Sequence, residues 1–193
     1  MSTINLTVFL GNPGKMYAKT RHNLAWMAAE AIPSIVDLRF QKKFHGRWAD
    51  IKTGTYREVL LFPETYMNKS GDSVSSACSF FKIDPKKEGS NLLVVHDEIE
   101  LPFGTIELKR GGGTAGHNGL RSINQQTGSS DFLRLRLGVG RPPRGTVSSW
   151  VLSRFSEDEE LLLPKYLKRT APFLEKLFTE GHASISAFKE QLL

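Results

Sequence analysis

A chain of 193 residues is long enough for one α/β domain with a sizeable core. Its hydrophobic share of 39% and charged share of 24% fit an ordinary soluble globular protein, and no apolar run is long enough to cross a bilayer. A single cysteine, Cys78, excludes an internal disulfide and speaks against a cysteine-based zinc site, while the formal charge of +6 leaves a polyanionic partner open.

Leu6, Val8 and Leu10 alternate with Thr7 and Phe9 and predict a first strand, which ends at the turn signal Gly11-Asn12-Pro13-Gly14. A helix is predicted from near Asn23 through Leu24, Met27, Ala28 and Ala31, with Pro33 limiting its far end. Residues 47–52 and 56–62 read as a hairpin around Gly54. Residues 70–81 predict a helix ended by Asp84-Pro85, with Cys78 as a small buried hydrophobe. The short apolar run 92–96 fits a central buried strand. Residues 105–110 form another strand, and after a glycine cluster residues 118–126 form a short helix. Residues 132–139 alternate again, with Leu133, Leu135, Leu137 and Val139 on one face and Arg134 and Arg136 on the other.

The remainder reads as helical. Ser156 followed by Glu159 matches a capping box. Pro164 and Pro172 each remove a backbone donor, which predicts kinks or separate short helices. Strands alternating with helices predict an α/β fold: one domain, residues 1–193, with helices on both faces of a sheet. The first five residues lack the basic start and apolar core of a signal peptide, so the expected location is cytoplasmic.

The charge is unevenly placed. Between residues 103 and 154, eight basic side chains (Lys109, Arg110, Arg121, Arg134, Arg136, Arg141, Arg144 and Arg154) face only Glu107 and Asp131. That stretch carries the whole excess. It is either a solvated basic face or a patch for a polyanion such as nucleic acid.

Four segments could carry chemistry. In the first, Asn12 stands at the end of a strand, where open α/β sheets bind ligands, and His22 stands near the following helix start. Histidine is the usual general base, although a histidine at a helix start is often structural. In the second, Asp97 follows the buried run and could accept the Nδ1–H of a histidine, leaving Nε2 free to take a proton from water; an exposed turn at Asp97-Glu98 is the alternative. No HExxH or similar spacing points to a metal. The third, Gly111-Gly112-Gly113-Thr114-Ala115-Gly116-His117-Asn118-Gly119, contains a GxGxxG. It lies past the middle of the chain, and Asp131 precedes the next strand instead of ending it, which weighs against a dinucleotide site. Its amides and helix start could instead suit a phosphate or an oxyanion. In the fourth, Asn68 precedes a predicted helix and is either a cap or a holder of water and a carbonyl, while Tyr66 and Met67 are core or pocket wall. His96 and His117 are read as packing residues. A GxSxG elbow and a P-loop spacing are both missing.

Together these segments resemble bacterial-type peptidyl-tRNA hydrolase. The matching stretches are Leu10-Gly-Asn-Pro-Gly14 with Tyr17, Thr20-Arg-His-Asn23, Pro63 with Thr65-Tyr-Met-Asn68 and Ser70-Gly71, His96-Asp97-Glu98 with Leu101-Pro102 and Gly104, Lys109 with Gly111-Gly-Gly113, Gly116-His-Asn-Gly-Leu120, and Arg134-Leu-Arg-Leu-Gly138. They run in the family's order up to about residue 140. The resemblance implies a three-layer α/β/α domain with a mixed, mostly parallel twisted sheet, acting as a monomer without metal or cofactor. It implies an esterase that frees tRNA from peptides dropped by the ribosome. His22 matches the catalytic histidine, Asp97 the acid that supports it, and Asn12 the residue that separates blocked from unblocked aminoacyl-tRNA. Asn68 and Asn118 match residues holding substrate and water. Tyr17 and Tyr66 match positions lining the site for the tRNA end, with Met67 between Tyr66 and Asn68. Lys109 and Arg136 match basic residues that meet a tRNA phosphate. A non-catalytic RNA-binding protein of the same fold and a nucleotide-dependent oxidoreductase are the competing readings.

Overall fold

The computed structural model describes residues 3–53 and 56–193. The strands are β1 (Thr3–Phe9), β2 (Gln41–Lys43), β3 (Gly46–Thr53), β4 (Tyr56–Pro63), β5 (Leu92–Glu98), β6 (Thr105–Arg110), β7 (Leu133–Gly138) and β8 (Phe188–Gln191). They form one eight-stranded sheet in the order β2-β3-β4-β1-β5-β7-β6-β8. Parallel pairing joins β4, β1, β5 and β7 at the centre, and antiparallel pairs flank them on both sides. The expected hairpin is present as β3 and β4, paired from Gly46↔Pro63 to Thr53↔Tyr56; the turn expected around Gly54 lies outside the described residues.

The helices are α1 (Leu24–Glu30), α2 (Pro33–Val36), α3 (Ser70–Phe81), α4 (Asn118–Thr127), α5 (Val147–Val151) and α6 (Glu157–Glu180). Central strands bury both faces, so their apolar residues divide between two cores. Phe9, Leu93, Val95, Leu135 and Leu137 pack with α1 and α6. Leu6, Val8, Leu92 and Val94 pack with α3 and α4. This gives the three layers. Among the described residues no helix is long and apolar enough to cross a membrane.

The expectation of broken C-terminal helices is corrected: α6 runs 24 residues with both Pro164 and Pro172 inside it. Both prolines lie on the exposed side, where water can satisfy the carbonyls they orphan. The opposite stripe, Tyr166, Thr170, Ala171, Leu174, Leu177 and Phe178, is buried, and this packing holds the helix through two missing bonds. The capping box read from Ser156 and Glu159 is present.

The chain leaves β1 toward α1 on one face and β4 toward α3 on the other. Adjacent parallel strands whose connections diverge in this way open a crevice beyond their carboxyl ends. Asn12 follows β1, Met67 and Asn68 follow β4, and Asp97 ends β5, so all four reach one crevice.

Candidate active site

The crevice is a cleft of about 530 Å³ lined by Asn12, Tyr17, His22, Tyr66, Met67, Asn68, Asp97 and Asn118, together with Glu98, Ile99, Ala115, Gly116, His117 and, from the far wall, Val147, Ser148, Val151 and Leu152. Every side chain expected to be catalytic or substrate-binding lines it. Lys109 and Arg136 do not.

His22 lies in a 3₁₀ turn, Arg21–Asn23, just before α1. Its Nδ1 is 2.9 Å from each oxygen of Asp97, so Nδ1 carries a proton and donates it. Nε2 has no hydrogen-bond partner among the described residues, and His22 lines the cleft. Asp97 is buried within β5, not in an exposed turn, which settles that alternative. Burial pushes its carboxyl up, but the attraction and hydrogen bonds of His22 and His117 prevail and hold it well below the usual carboxylate range.

His117 is more than a packing residue, which corrects the sequence reading. Its Nδ1 accepts the amide N–H groups of Gly119 at 3.1 Å and Leu120 at 3.4 Å, capping α4 with its own ring. Nε2 must then carry the proton, and it donates to Asp97 at 2.9 Å. The signal was available: His117 occupies the N-cap position of a predicted helix. His96 did prove sealed. Its Nδ1 donates to the carbonyl of Asp97 at 2.7 Å, its Nε2 is buried without a partner among the described residues, and burial holds its pKa well below the ordinary value.

His22, Asp97 and His117 are the one group of three metal-capable side chains among the described residues, with ligand atoms within 4.8 Å of one another. Protons already occupy the lines between them. A cation at Nε2 of His117 would need that nitrogen's lone pair and would turn Nδ1 into a donor facing two amide N–H groups. The donor set therefore does not fit a metal.

Two backbone devices set the amides. The side chain of Asn23 pairs with the backbone of Asn12, accepting its N–H at 2.8 Å and donating to its carbonyl at 3.0 Å. The Oδ1 of Asn12 accepts the N–H of Met67 at 2.7 Å, which commits the oxygen and leaves Nδ2 for a ligand. Nothing in the sequence marks Asn23 for this task. Asn68 and Asn118 are exposed on the cleft lip. Gly119 lets α4 approach: a Cβ there would sit 2.6 Å from the sulfur of Met67. Tyr17 and Tyr66 meet edge-on, with ring centroids 6.5 Å apart.

The glycine loop serves another purpose than a dinucleotide cradle. Arg134, buried, donates to the carbonyls of Gly112 and Gly113 at 2.7 Å each. With the next helix start capped by His117, carbonyls turned inward leave a pyrophosphate little to bind.

The basic residues are partly spent inside the molecule. Arg136 donates to Glu98 at 2.9 Å and to Glu107; burial works against its charge, but these two carboxylates raise its pKa overall. Arg141 pairs with Glu100. Lys109 is half-buried and has no ion pair among the described residues. It shares a face of the sheet with Arg134 and Arg136, one strand over. Glu98 both lines the cleft and holds Arg136, so this basic shoulder adjoins the cleft.

An imidazole oriented by a carboxylate, with no hydroxyl or thiol bonded to it among the described residues, can activate a water. Beside it stand side-chain amides that can steady a carbonyl. The three-layer fold and this cleft define an α/β protein equipped for hydrolysis. The sequence profile of the family described as "Peptidyl-tRNA hydrolase" matches residues 6–192. A peptidyl-tRNA hydrolase of Sorangium cellulosum is 48% identical over 91% of this chain and 79% of its own length, and one of Treponema pallidum is 47% identical over 98% and 96%. A crystal structure of peptidyl-tRNA hydrolase from Acinetobacter baumannii superposes with a TM-score of 0.82 at 36% identity, covering 95% of this chain and 92% of that one. The chain belongs to the peptidyl-tRNA hydrolase family.

Proposed function

We propose that this protein hydrolyses the ester between an N-blocked peptide or aminoacyl group and the 3′-terminal ribose of tRNA, returning free tRNA to translation. The observation that carries the reading is the Nδ1–H of His22 held by both oxygens of Asp97, with Nε2 open to the cleft. His22 takes a proton from a water. The water attacks the ester carbonyl, and the bond to the ribose oxygen breaks. The ribose hydroxyl leaves, taking up the proton. General-base help of this kind is worth roughly a hundred- to ten-thousand-fold.

Asn118, with Asn68, steadies the water and the charge growing on the carbonyl oxygen, a contribution of about a hundred- to a thousand-fold per well-placed donor. Asn12 offers Nδ2 to the acyl group beside the ester and discriminates blocked from free amines. Met67, Tyr17 and Tyr66 take the terminal nucleoside. Lys109 meets a tRNA phosphate, and Arg136 supports that contact from between Glu98 and Glu107. We propose further that the protein works as a monomer in the cytoplasm.

The deciding assay is incubation with N-acetyl-aminoacyl-tRNA, scoring release of free tRNA. Turnover by the natural protein and its loss in His22→Ala, with tRNA affinity kept, is the expected result. Retained turnover in the variant removes His22 from its role. A non-catalytic RNA-binding protein of the same fold would bind the substrate and release nothing.

A further inference from the structure

The far wall of the cleft is the five-residue helix α5, too short to persist by itself. One of its faces presents Val147, Val151 and Leu152 to the cleft, with Val147 and Leu152 still 40% and 42% exposed. Trp150 points elsewhere. Its indole Nε1 donates to the carbonyl of Gly140 at 2.8 Å, and its ring lies 3.5 Å from the guanidinium carbon of Arg21.

Arg21 immediately precedes His22 and is 2% exposed. Besides stacking on Trp150, it donates to the hydroxyl of Ser153 at 2.7 Å, to the carbonyl of Arg154, and to Glu159. Its own amide donates to the carbonyl of Ser153 at 3.1 Å, and Thr20 bridges to Arg154. Glu159 in turn is the third residue of α6, closes its capping box and accepts the N–H of Ser156 at 2.8 Å. One side chain therefore ties the turn carrying the histidine to the wall helix and to the cap of the long C-terminal helix. A buried guanidinium is a poor way to gain stability alone, because an apolar group of the same size avoids its desolvation. Its fork of fixed donors is instead suited to setting a distance.

We propose that Arg21 is a positioning residue that fixes the width of the cleft, holding the apolar wall of α5 at the separation from His22 that the acyl group of the substrate requires. This rests on the hydrolase reading only in naming the acyl group as what lies between the two.

Two substitutions separate the clamp from plain helix capping. Glu159→Gln keeps a side chain able to complete the capping box but removes the charge paired with Arg21. Ser156→Ala removes a cap bond and leaves the Arg21–Glu159 pair. Steady-state kinetics on N-acetyl-phenylalanyl-tRNA and amide hydrogen exchange are measured on both. For Glu159→Gln the expected result is KM raised about 3- to 10-fold. Its kcat should stay within about twofold and its pH profile unchanged, because the clamp does not touch the reacting atoms. Exchange should quicken at residues 147–153 but not at 92–98. Ser156→Ala should lower the thermal midpoint and leave KM and the exchange at 147–153 as they were. Natural KM and natural exchange in Glu159→Gln overturn the proposal, and so does an equal rise of KM in Ser156→Ala. Should the natural protein itself release no tRNA, the hydrolase reading fails on that result, and the exchange at 147–153 decides the clamp independently.

Discussion

Asp97 takes N–H donors from two imidazoles whose remaining nitrogens meet different surroundings. His22 turns Nε2 to the cleft, while His117 turns Nδ1 to two backbone amides. The same residue type is a base in one place and a brace in the other because of what its second nitrogen faces. His96, next to Asp97, is sealed and held neutral by burial. The native form thus binds fewer protons at this site than the unfolded chain once the pH falls below the ordinary value of 6.5, and stability is lost as acidification proceeds. Asp97 acts in the same direction lower down. Its native carboxylate is favoured over the unfolded one, so its contribution is present above 3.8 and disappears as the pH falls further. The thermal midpoint should therefore fall in two stages on acidification. His96→Asn, which can still donate to the carbonyl of Asp97, should remove most of the first stage, the loss that sets in below pH 6.5. An unaltered first stage in that variant would assign it to another group.

At the level of elements, the sequence indicated strands and helices wherever one period ran long enough. The alternation in β1 and β7, the buried run of β5 and the capping box of α6 were all visible, whereas Asn68 does not cap α3, whose N-cap is Lys69 without a side-chain bond. Four short elements were not: β2, α2, α5, which was not separated within a stretch read only as helical, and β8, a strand that corrects the helical reading of the C-terminal part. The strands β2 and β8 are edge pieces of three and four mostly exposed residues, so no apolar alternation marks them. For α5 a signal existed, since the Thr146 side chain caps it through the N–H of Ser149, but five residues hold too little pattern to read. In α6 the prolines misled because their cost is local while the support for the helix comes from packing along its whole buried stripe. Pro172 is exposed, so Pro172→Ala should restore a backbone bond without disturbing the core. Part of the gain is cancelled by the freer unfolded chain, which leaves roughly 1–2 kcal/mol of added stability. A urea midpoint raised at constant slope would show it; an unchanged or lowered midpoint would mean that the proline geometry is required.

Across the whole molecule, the basic excess of the central stretch is smaller in effect than its count. Arg134 is absorbed by the glycine loop, Arg136 by Glu98 and Glu107, and Arg141 by Glu100. Lys109 has no ion pair among the described residues and stands on the same face as Arg136, on the shoulder that adjoins the cleft. Lys109→Ala should weaken tRNA binding and reduce the slope of log K against log salt by about 0.7–0.9, the loss of one phosphate contact, with kcat preserved. Titrations across a salt series measure this, and a slope equal to that of the natural protein would remove Lys109 from the interface.

The sequence by itself determined that helices cover both faces of one sheet, because that depends on short-range periodicity, and it placed candidate groups at strand ends; the parallel centre and the full set of cleft residues came from its resemblance to the family. Tertiary structure alone decided which charges remain free, that Asn23 fixes Asn12, that His117 shares Asp97, and that Arg21 joins the histidine turn to α5 and α6. Each of these pairs residues distant along the chain or apportions one donor among several acceptors. Such choices are made by the packed sheet, which brings strand ends and helix caps within hydrogen-bond reach.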